Sequence, residues 1–125
     1  MWEFYNPNPA ARNVGDCAIR AIAKALGINW EESFALLAKS AFVMCDTPCS
    51  GGSAGAVLRQ NGFRKAVVPD TCPDCYILET FIKEHPHGTY VIFTGNHVVT
   101  AVNGVYYDTW DSGNEIPIYY WYKED

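Results

Sequence analysis

The hydrophobic pattern of this chain changes period near the middle, and this change limits the possible folds more than any other feature. Apolar residues recur at helical spacing in the first half, whereas short β-branched and aromatic stretches between turn residues fill the second half. No repeat, linker or low-complexity segment separates the halves. The pattern therefore predicts one α+β domain over residues 1–125, with N-terminal helices packed on a C-terminal antiparallel sheet.

Capping residues and apolar spacing predict four helices. The first follows Asp16, a possible N-cap, and stops at Gly27. The second starts at Asn29 and Glu32, which have the spacing of a capping box. The other two helices are predicted over Ser53–Asn61 and Tyr76–Glu84.

The pair Asn103 and Gly104 is the strongest turn signal among the strand-like stretches. It suits a two-residue type I′ turn, which would pair Val102 with Val105 in a tight hairpin. Five strands are predicted in total: Lys65–Val68, Thr89–Thr94, His97–Val102, Val105–Asp108 and Ile116–Tyr122.

Charge and cysteine content exclude several classes of partner. The net charge is −5 and the chain has no basic run, which argues against nucleic acid as a partner. No apolar stretch approaches the roughly 20 residues needed to cross a bilayer, and the start of the chain lacks the features of a secretory signal.

Five cysteines is an odd count, so at least one thiol has no disulfide partner within the chain. We expect a monomer in the reducing cytoplasm of a bacterium or a phage, with no membrane partner.

Cys17 and His97 are the first candidates for chemistry. Cys17 begins the first predicted helix, where free backbone N–H groups and the helix dipole favour a thiolate. His97 lies about 80 residues downstream at the start of a strand, as expected for a base that meets a helix-borne thiol. The alternative for Cys17 is a small buried apolar residue.

The motifs around these two residues resemble a known family. Asp16 and Cys17 form an Asp–Cys pair that opens the first helix, and a later segment runs from His97 through strand residues to Asp108 and Gly113. In these motifs the chain resembles the papain-like cysteine peptidases, and within them the small bacterial peptidases that process bacteriocin leaders at double-glycine sites.

The helix after Cys17 is similar to a second papain-like group, the ovarian-tumour-type deubiquitinases, in which Arg-Ala follows the cysteine at the spacing of Arg20 and Ala21. The resemblance implies a papain-like fold with the nucleophile at the start of the first helix. It also implies a catalytic cysteine, histidine and aspartate at Cys17, His97 and Asp108, with no cofactor.

The residue that would complete an oxyanion hole departs from the family pattern. Papain-like peptidases usually have a glutamine six residues before the nucleophile, where this chain has Ala11. We assign the role to Asn13, with Asn6 and Asn8 as further candidates, because an amide side chain can donate beside the Cys17 N–H. The alternative for Asn13 is an ordinary turn residue before a helix.

The hairpin register selects between two carboxylates as the partner of His97. Counting outward from the turn places Val99 opposite Asp108 and His97 opposite Trp110, so that all four side chains share one face. Asp111 falls on the other face. We therefore expect Asp108 to orient His97, and Trp110 to border the substrate site and shield the His97–Asp108 bond from water. The alternatives are a turn residue for Asp108 and a core aromatic for Trp110.

Four further cysteines suggest a competing hypothesis. Cys45 and Cys49 are separated by three residues, and Cys72 and Cys75 by two, so the four thiolates could hold a structural zinc. Ordinary reduced thiols are the alternative, and we expect no metal.

The leading interpretation is a thiol hydrolase, a cysteine protease that cleaves a peptide or isopeptide bond through an acyl-enzyme on Cys17. The same first step can serve deamidation or acyl transfer. The alternative function, from a different class of protein, is a non-catalytic interaction module on the same fold, stabilised by zinc.

Overall fold

The computed structural model describes residues 1–69 and 76–123, and its elements confirm the α+β class. The helices in this part of the chain are α1 (Cys17–Leu26), α2 (Trp30–Met44), α3 (Gly51–Gln60) and α4 (Leu78–Glu84). The strands are β1 (Trp2–Phe4), β2 (Arg64–Val67), β3 (Thr89–Phe93), β4 (Val98–Val102), β5 (Val105–Asp108) and β6 (Tyr119–Lys123). No helix in residues 1–69 and 76–123 is long and apolar enough to cross a membrane.

The six described strands form one sheet in the order β1-β5-β4-β3-β6-β2. The prediction of an antiparallel sheet is wrong at one edge, because β1 pairs with β5 in parallel. All other neighbouring strands are antiparallel. Strand β1 is three exposed residues without an alternating pattern, so only its pairing with the edge of β5 defines it.

Both faces of the sheet are covered, each by its own apolar cluster. The first cluster joins α1, α2 and α3 to the sheet, with Ile22, Leu37 and Trp121 among its buried members. The second joins α4 to the opposite face through Phe81 and Tyr106. Burial of these apolar side chains holds α1 against β4, and this packing positions the first turn of α1 beside the end of the sheet.

The helix ends show which capping predictions are correct. Gly27 ends α1 in the left-handed conformation, and Asn29 forms the predicted capping box with Glu32. Asp16 occupies the N-cap position of α1, but its side chain makes no capping hydrogen bond. Ser50 caps α3, which starts at Gly51, two residues earlier than predicted.

The Asn103–Gly104 turn has the predicted form. Both residues have positive φ, at 49° and 85°, as a type I′ turn requires. Val102 pairs with Val105 and Thr100 with Tyr107, so the predicted register of the hairpin is confirmed.

We expect Gly104→Ala to lower the free energy of unfolding by about 1 kcal/mol, because a side chain at φ 85° is strained. Gly15→Ala is the matched control, since Gly15 has no positive φ and a Cβ there would meet no atom within 4 Å. Urea unfolding of both variants measures the difference. Equal losses in the two variants would contradict this account of the turn.

Candidate active site

The thiol of Cys17 lies at the first turn of α1, half-buried beside the end of β4. The side chain of His97 is hydrogen-bonded to it, and the backbone N–H of Val98 donates to it. The first N–H groups of a helix have no acceptor within the helix, and the side chain of Asp16 does not cap this one. The local environment of the sulfur therefore favours negative charge.

His97 lies immediately before β4 and connects the thiol to a buried carboxylate. Its Nε2 is 2.6 Å from Oδ2 of Asp108, which leaves Nδ1 to face Cys17. The His97 side chain is 10% exposed and that of Asp108 only 1%. The predicted contact between His97 and Asp108 is thus present, in an environment that excludes most water.

The carboxylate of Asp108 forms four hydrogen bonds. His97 and the Ser112 hydroxyl, at 2.8 Å, bind Oδ2. The Thr109 N–H at 2.8 Å and the Arg20 guanidinium at 3.1 Å bind Oδ1. A buried carboxylate costs free energy unless its oxygens are satisfied in this way, so the ionised form is the one this site accommodates.

Arg20 extends the network from Asp108 back to the start of α1. Its guanidinium also pairs with the carboxylate of Asp16, one helical turn before it. The Trp30 indole N–H donates to the other Asp16 oxygen at 2.9 Å. Asp16 is therefore an ion-pair residue, and this is why it does not cap α1.

The charges in this network shift three pKa values. Burial would raise the pKa of Cys17, but the hydrogen bond and charge of His97 outweigh it and lower that pKa. Burial would lower the pKa of His97, but the bonds to Asp108 and Cys17 raise it to about 9. Burial would likewise raise the pKa of Asp108, and the bonds from His97 and Ser112 lower it. These directions favour the thiolate of Cys17 over its thiol and the imidazolium of His97 over its neutral ring.

The thiol opens into a cleft of about 200 Å³, the thiol cleft, which is lined by Cys17, Cys49, Gly51, Phe93, Gly95, Asn96, His97, Val98 and Tyr119. Cys49 is exposed in this cleft, with its sulfur 4.0 Å from the carbonyl oxygen of Gly15. Burial and the negative charges of Cys17 and Asp16 raise the pKa of Cys49. The pKa values of the two thiols in the cleft are therefore shifted in opposite directions.

The three asparagines proposed for the oxyanion hole lie in the loop before α1. Asn13 is exposed and does not line the thiol cleft. Asn6 and Asn8 use their side chains within the loop: Asn6 donates to the carbonyl of Arg12, and Asn8 accepts from the N–H of Ala10. Among the described residues, the asparagine that lines the cleft is Asn96, which the sequence did not single out.

Trp110 and Asp111 both follow β5. The sequence argument placed Trp110 on the same face as His97 and Asp111 on the other face. The Trp110 ring lies 5.1 Å from the His97 ring, and its side chain is 46% exposed, so it is not a core aromatic. Asp111 accepts from the Tyr106 hydroxyl and from the Gly113 N–H at 3.0 Å, and forms no hydrogen bond or ion pair with His97.

The face assigned to Val99 in the sequence argument is wrong. Val99 packs in the cluster around α4, whereas His97 and Asp108 contact residues of α1 on the other side of the sheet. His97 lies just outside β4 and Asp108 is the last residue of β5, so the strict alternation of a strand no longer fixes their direction.

The zinc hypothesis involves two cysteines that the structure describes and two that it does not. Cys45 and Cys49 are exposed free thiols. Cys72 and Cys75 lie outside the described residues. Within residues 1–69 and 76–123, no three His, Cys, Asp or Glu side chains form a group that could hold a metal.

Arg20 and Ser112 are the site residues that the sequence argument missed. Arg20 carried a signal, since a charge among apolar residues on a helix, four residues after Asp16, indicates a buried ion pair. Ser112 carried none, because a serine after a strand is ordinary turn chemistry.

Comparison with family models, with curated protein sequences and with solved structures gave no match to this chain.

We expect Arg20→Met to lower the free energy of unfolding by about 3 kcal/mol, because it leaves buried Asp16 without a cation and removes one of the two cations that bind buried Asp108. Lys83→Met is the control: it breaks the exposed ion pair with Glu79, which should cost under about 1 kcal/mol. Urea denaturation measures both. A loss for Arg20→Met no larger than the control would mean that the buried network does not stabilise the fold.

Near pH 7, Cys17 should react with iodoacetamide about tenfold faster than Cys49, since the pKa of Cys17 is lowered and that of Cys49 raised. As the pH rises above the ordinary thiol range, Cys49 becomes a thiolate and the difference in rate narrows. Peptide mapping by mass spectrometry gives each rate.

His97→Ala should remove most of the Cys17 advantage, because it deletes the hydrogen bond and the positive charge that lower this pKa. His85→Ala is the matched control, since His85 binds the Phe81 carbonyl beside α4. Unchanged Cys17 kinetics in His97→Ala would show that no thiolate–imidazolium pair exists.

Proposed function

We propose that this protein is a papain-like thiol hydrolase that cleaves a peptide or isopeptide bond through an acyl-enzyme on Cys17. The observation that carries the proposal is the position of His97, hydrogen-bonded to the Cys17 thiol through one ring nitrogen and to buried Asp108 through the other. A nucleophile, a base within hydrogen-bond reach and a third group that orients the base are the parts that nucleophilic catalysis requires.

In the proposed reaction, the Cys17 thiolate attacks the substrate carbonyl and forms a tetrahedral intermediate. The His97 imidazolium gives its proton to the leaving amine as the C–N bond breaks, which leaves a thioester on Cys17. Neutral His97 then takes a proton from water, and the resulting hydroxide attacks the thioester. The acid product leaves, and the thiolate and imidazolium are restored.

Asp108 would act by fixing the His97 ring and by stabilising its positive charge. Its other hydrogen bonds, from Ser112, Thr109 and Arg20, prevent it from turning away. The short His97–Asp108 contact is shielded from solvent on one side by Trp110, which we assign to the border of the substrate site.

The oxyanion of the tetrahedral intermediate would form near the first turn of α1. Backbone N–H groups there have no acceptor within the helix and can donate to it. Asn13 stays our prediction for the side-chain donor. Since Asn13 is exposed in the loop before α1, its amide would have to turn toward the cleft when substrate binds.

The reaction needs a reduced Cys17, and a cytoplasmic location would supply it. The rival hypothesis is a zinc-stabilised interaction module, which predicts bound zinc and requires no reactive Cys17. Stoichiometric labelling of Cys17 by an acyl-type thiol probe would favour the hydrolase. Stoichiometric zinc together with an unreactive Cys17 would favour the module.

Asp108→Asn should slow the acylation of Cys17 by para-nitrophenyl acetate about 10²-fold or more, because the amide cannot stabilise the imidazolium. Asp111→Asn, three residues along the chain, should stay within about twofold of the parent protein, since Asp111 forms no hydrogen bond or ion pair with His97. Circular dichroism checks that both variants are folded. If Asp111→Asn is the inactive variant, Asp108 is not the orienting residue.

A further inference from the structure

A second cleft lies beside the thiol cleft. Its volume is about 350 Å³, and it lies between α2, α3, β2 and β6. Gly51 and Tyr119 line both clefts, so the two clefts are neighbours separated only by these two residues. A polypeptide bound over Cys17 would place a side chain in this second cleft within a residue or two of the attacked carbonyl.

Glycines along α3 let this helix pack closely against the aromatic side chains of β6 that line the second cleft. A Cβ at Gly51 would lie 2.9 Å from the Tyr119 hydroxyl, and a Cβ at Gly55 would lie 2.9 Å from Cζ2 of Trp121. Both distances are shorter than real Cβ contacts allow. Larger residues at these positions would therefore displace the aromatic side chains that form the opposite wall.

Two cations line the second cleft, Arg59 from α3 and Lys65 from β2. Neither forms an ion pair with a residue in the described part of the chain. The Arg59 guanidinium lies 5.4 Å from the centre of the Trp121 ring, and the Lys65 ammonium lies 4.5 Å from that of Tyr119. The rings hold both cations over the cleft and leave N–H groups free to donate.

Within residues 1–69 and 76–123, no carboxylate lines the second cleft. The nearby Asp46 is held outside it, because its oxygens accept from the Ser50 hydroxyl at 2.8 Å and from the Thr47 N–H at 2.7 Å. The cleft is therefore locally cationic on a chain whose net charge is −5. An anionic group is the ligand that this charge distribution attracts.

We propose that the second cleft binds a carboxylate of the polypeptide substrate, on an acidic side chain one or two residues from the carbonyl that Cys17 attacks. This inference rests on the proposed function. The guanidinium of Arg59 offers paired N–H donors that match a carboxylate, and Lys65 adds a second charge from β2. The site thus gives the hydrolase a preference for acidic sequences.

The test compares two peptidyl chloromethyl ketones, acetyl-Ala-Glu-Gly and acetyl-Ala-Gln-Gly, which differ in charge and hardly in size. The glutamate probe should label Cys17 about fivefold faster than the glutamine probe at low salt. The preference should shrink at high salt, because exposed ion pairs are screened. Equal rates for the two probes would overturn the proposal.

Substitutions that remove one positive charge at a time show which residues produce the preference for the glutamate probe. Lys65→Gln and Arg59→Gln should each lower the glutamate preference by about half or more. Arg64→Gln is the matched control, since Arg64 is the neighbour of Lys65 on β2 and lines a different part of the surface. A preference that falls equally in Arg64→Gln would reflect overall charge and would contradict a site at this cleft.

A binding measurement separates failure of this inference from failure of the proposed function. In a Cys17→Ala protein, acetyl-Ala-Glu-Gly-amide should shift the NMR signals of the Trp121 indole and the Gly55 amide more than its glutamine counterpart, and Lys65→Gln should remove the difference. If Cys17 shows no enhanced reactivity but these shifts occur, the hydrolase proposal fails and the anion site stands. If Cys17 is reactive and neither shifts nor probe preference occur, only the anion site is wrong.

Discussion

The buried carboxylate of Asp108 is the interaction on which the rest of the site depends. It joins the end of β5 to α1 through Arg20 and to the start of β4 through His97. The Asp108 side chain is 1% exposed, and an unpaired charge there would lower the free energy of unfolding by several kcal/mol. The stability of the fold therefore requires that these partners stay in place. The contact with Asp108 helps to raise the pKa of His97, and the hydrogen bond and charge of His97 lower the pKa of Cys17. Stability and candidate chemistry therefore rest on one network.

Much of the fold was predictable because local chemistry decides it. The Asn103–Gly104 turn set the register of its hairpin, and the Asn29 capping box set the start of α2. Strand β1, Trp2–Phe4, was not predictable, since three residues carry no period and its parallel pairing depends on β5 being there to receive it. Sequence patterns therefore identified local elements better than the edges of the sheet.

The candidate site was predictable in its central contact and less so in its surroundings. Counting residues outward from the hairpin turn predicted the contact between Asp108 and His97, although the same count placed Val99 on the wrong face of the sheet. Counting fails there because both polar residues lie at strand ends, where hydrogen bonds to α1 decide their direction. Arg20 and the glycine-lined second cleft depend on how α1 and α3 pack against the sheet, which no single segment encodes.

Nitrogen NMR of the His97 ring tests the central claim, a thiolate–imidazolium pair oriented by Asp108, most directly. The account predicts that both ring nitrogens stay protonated through neutral pH and that the ring titrates near a pKa of about 9. It also predicts that Cys17→Ala lowers this pKa, because one of the two negative partners is gone. A ring that titrates at its ordinary value of about 6.5 in the parent protein, unchanged by Cys17→Ala, would contradict the account.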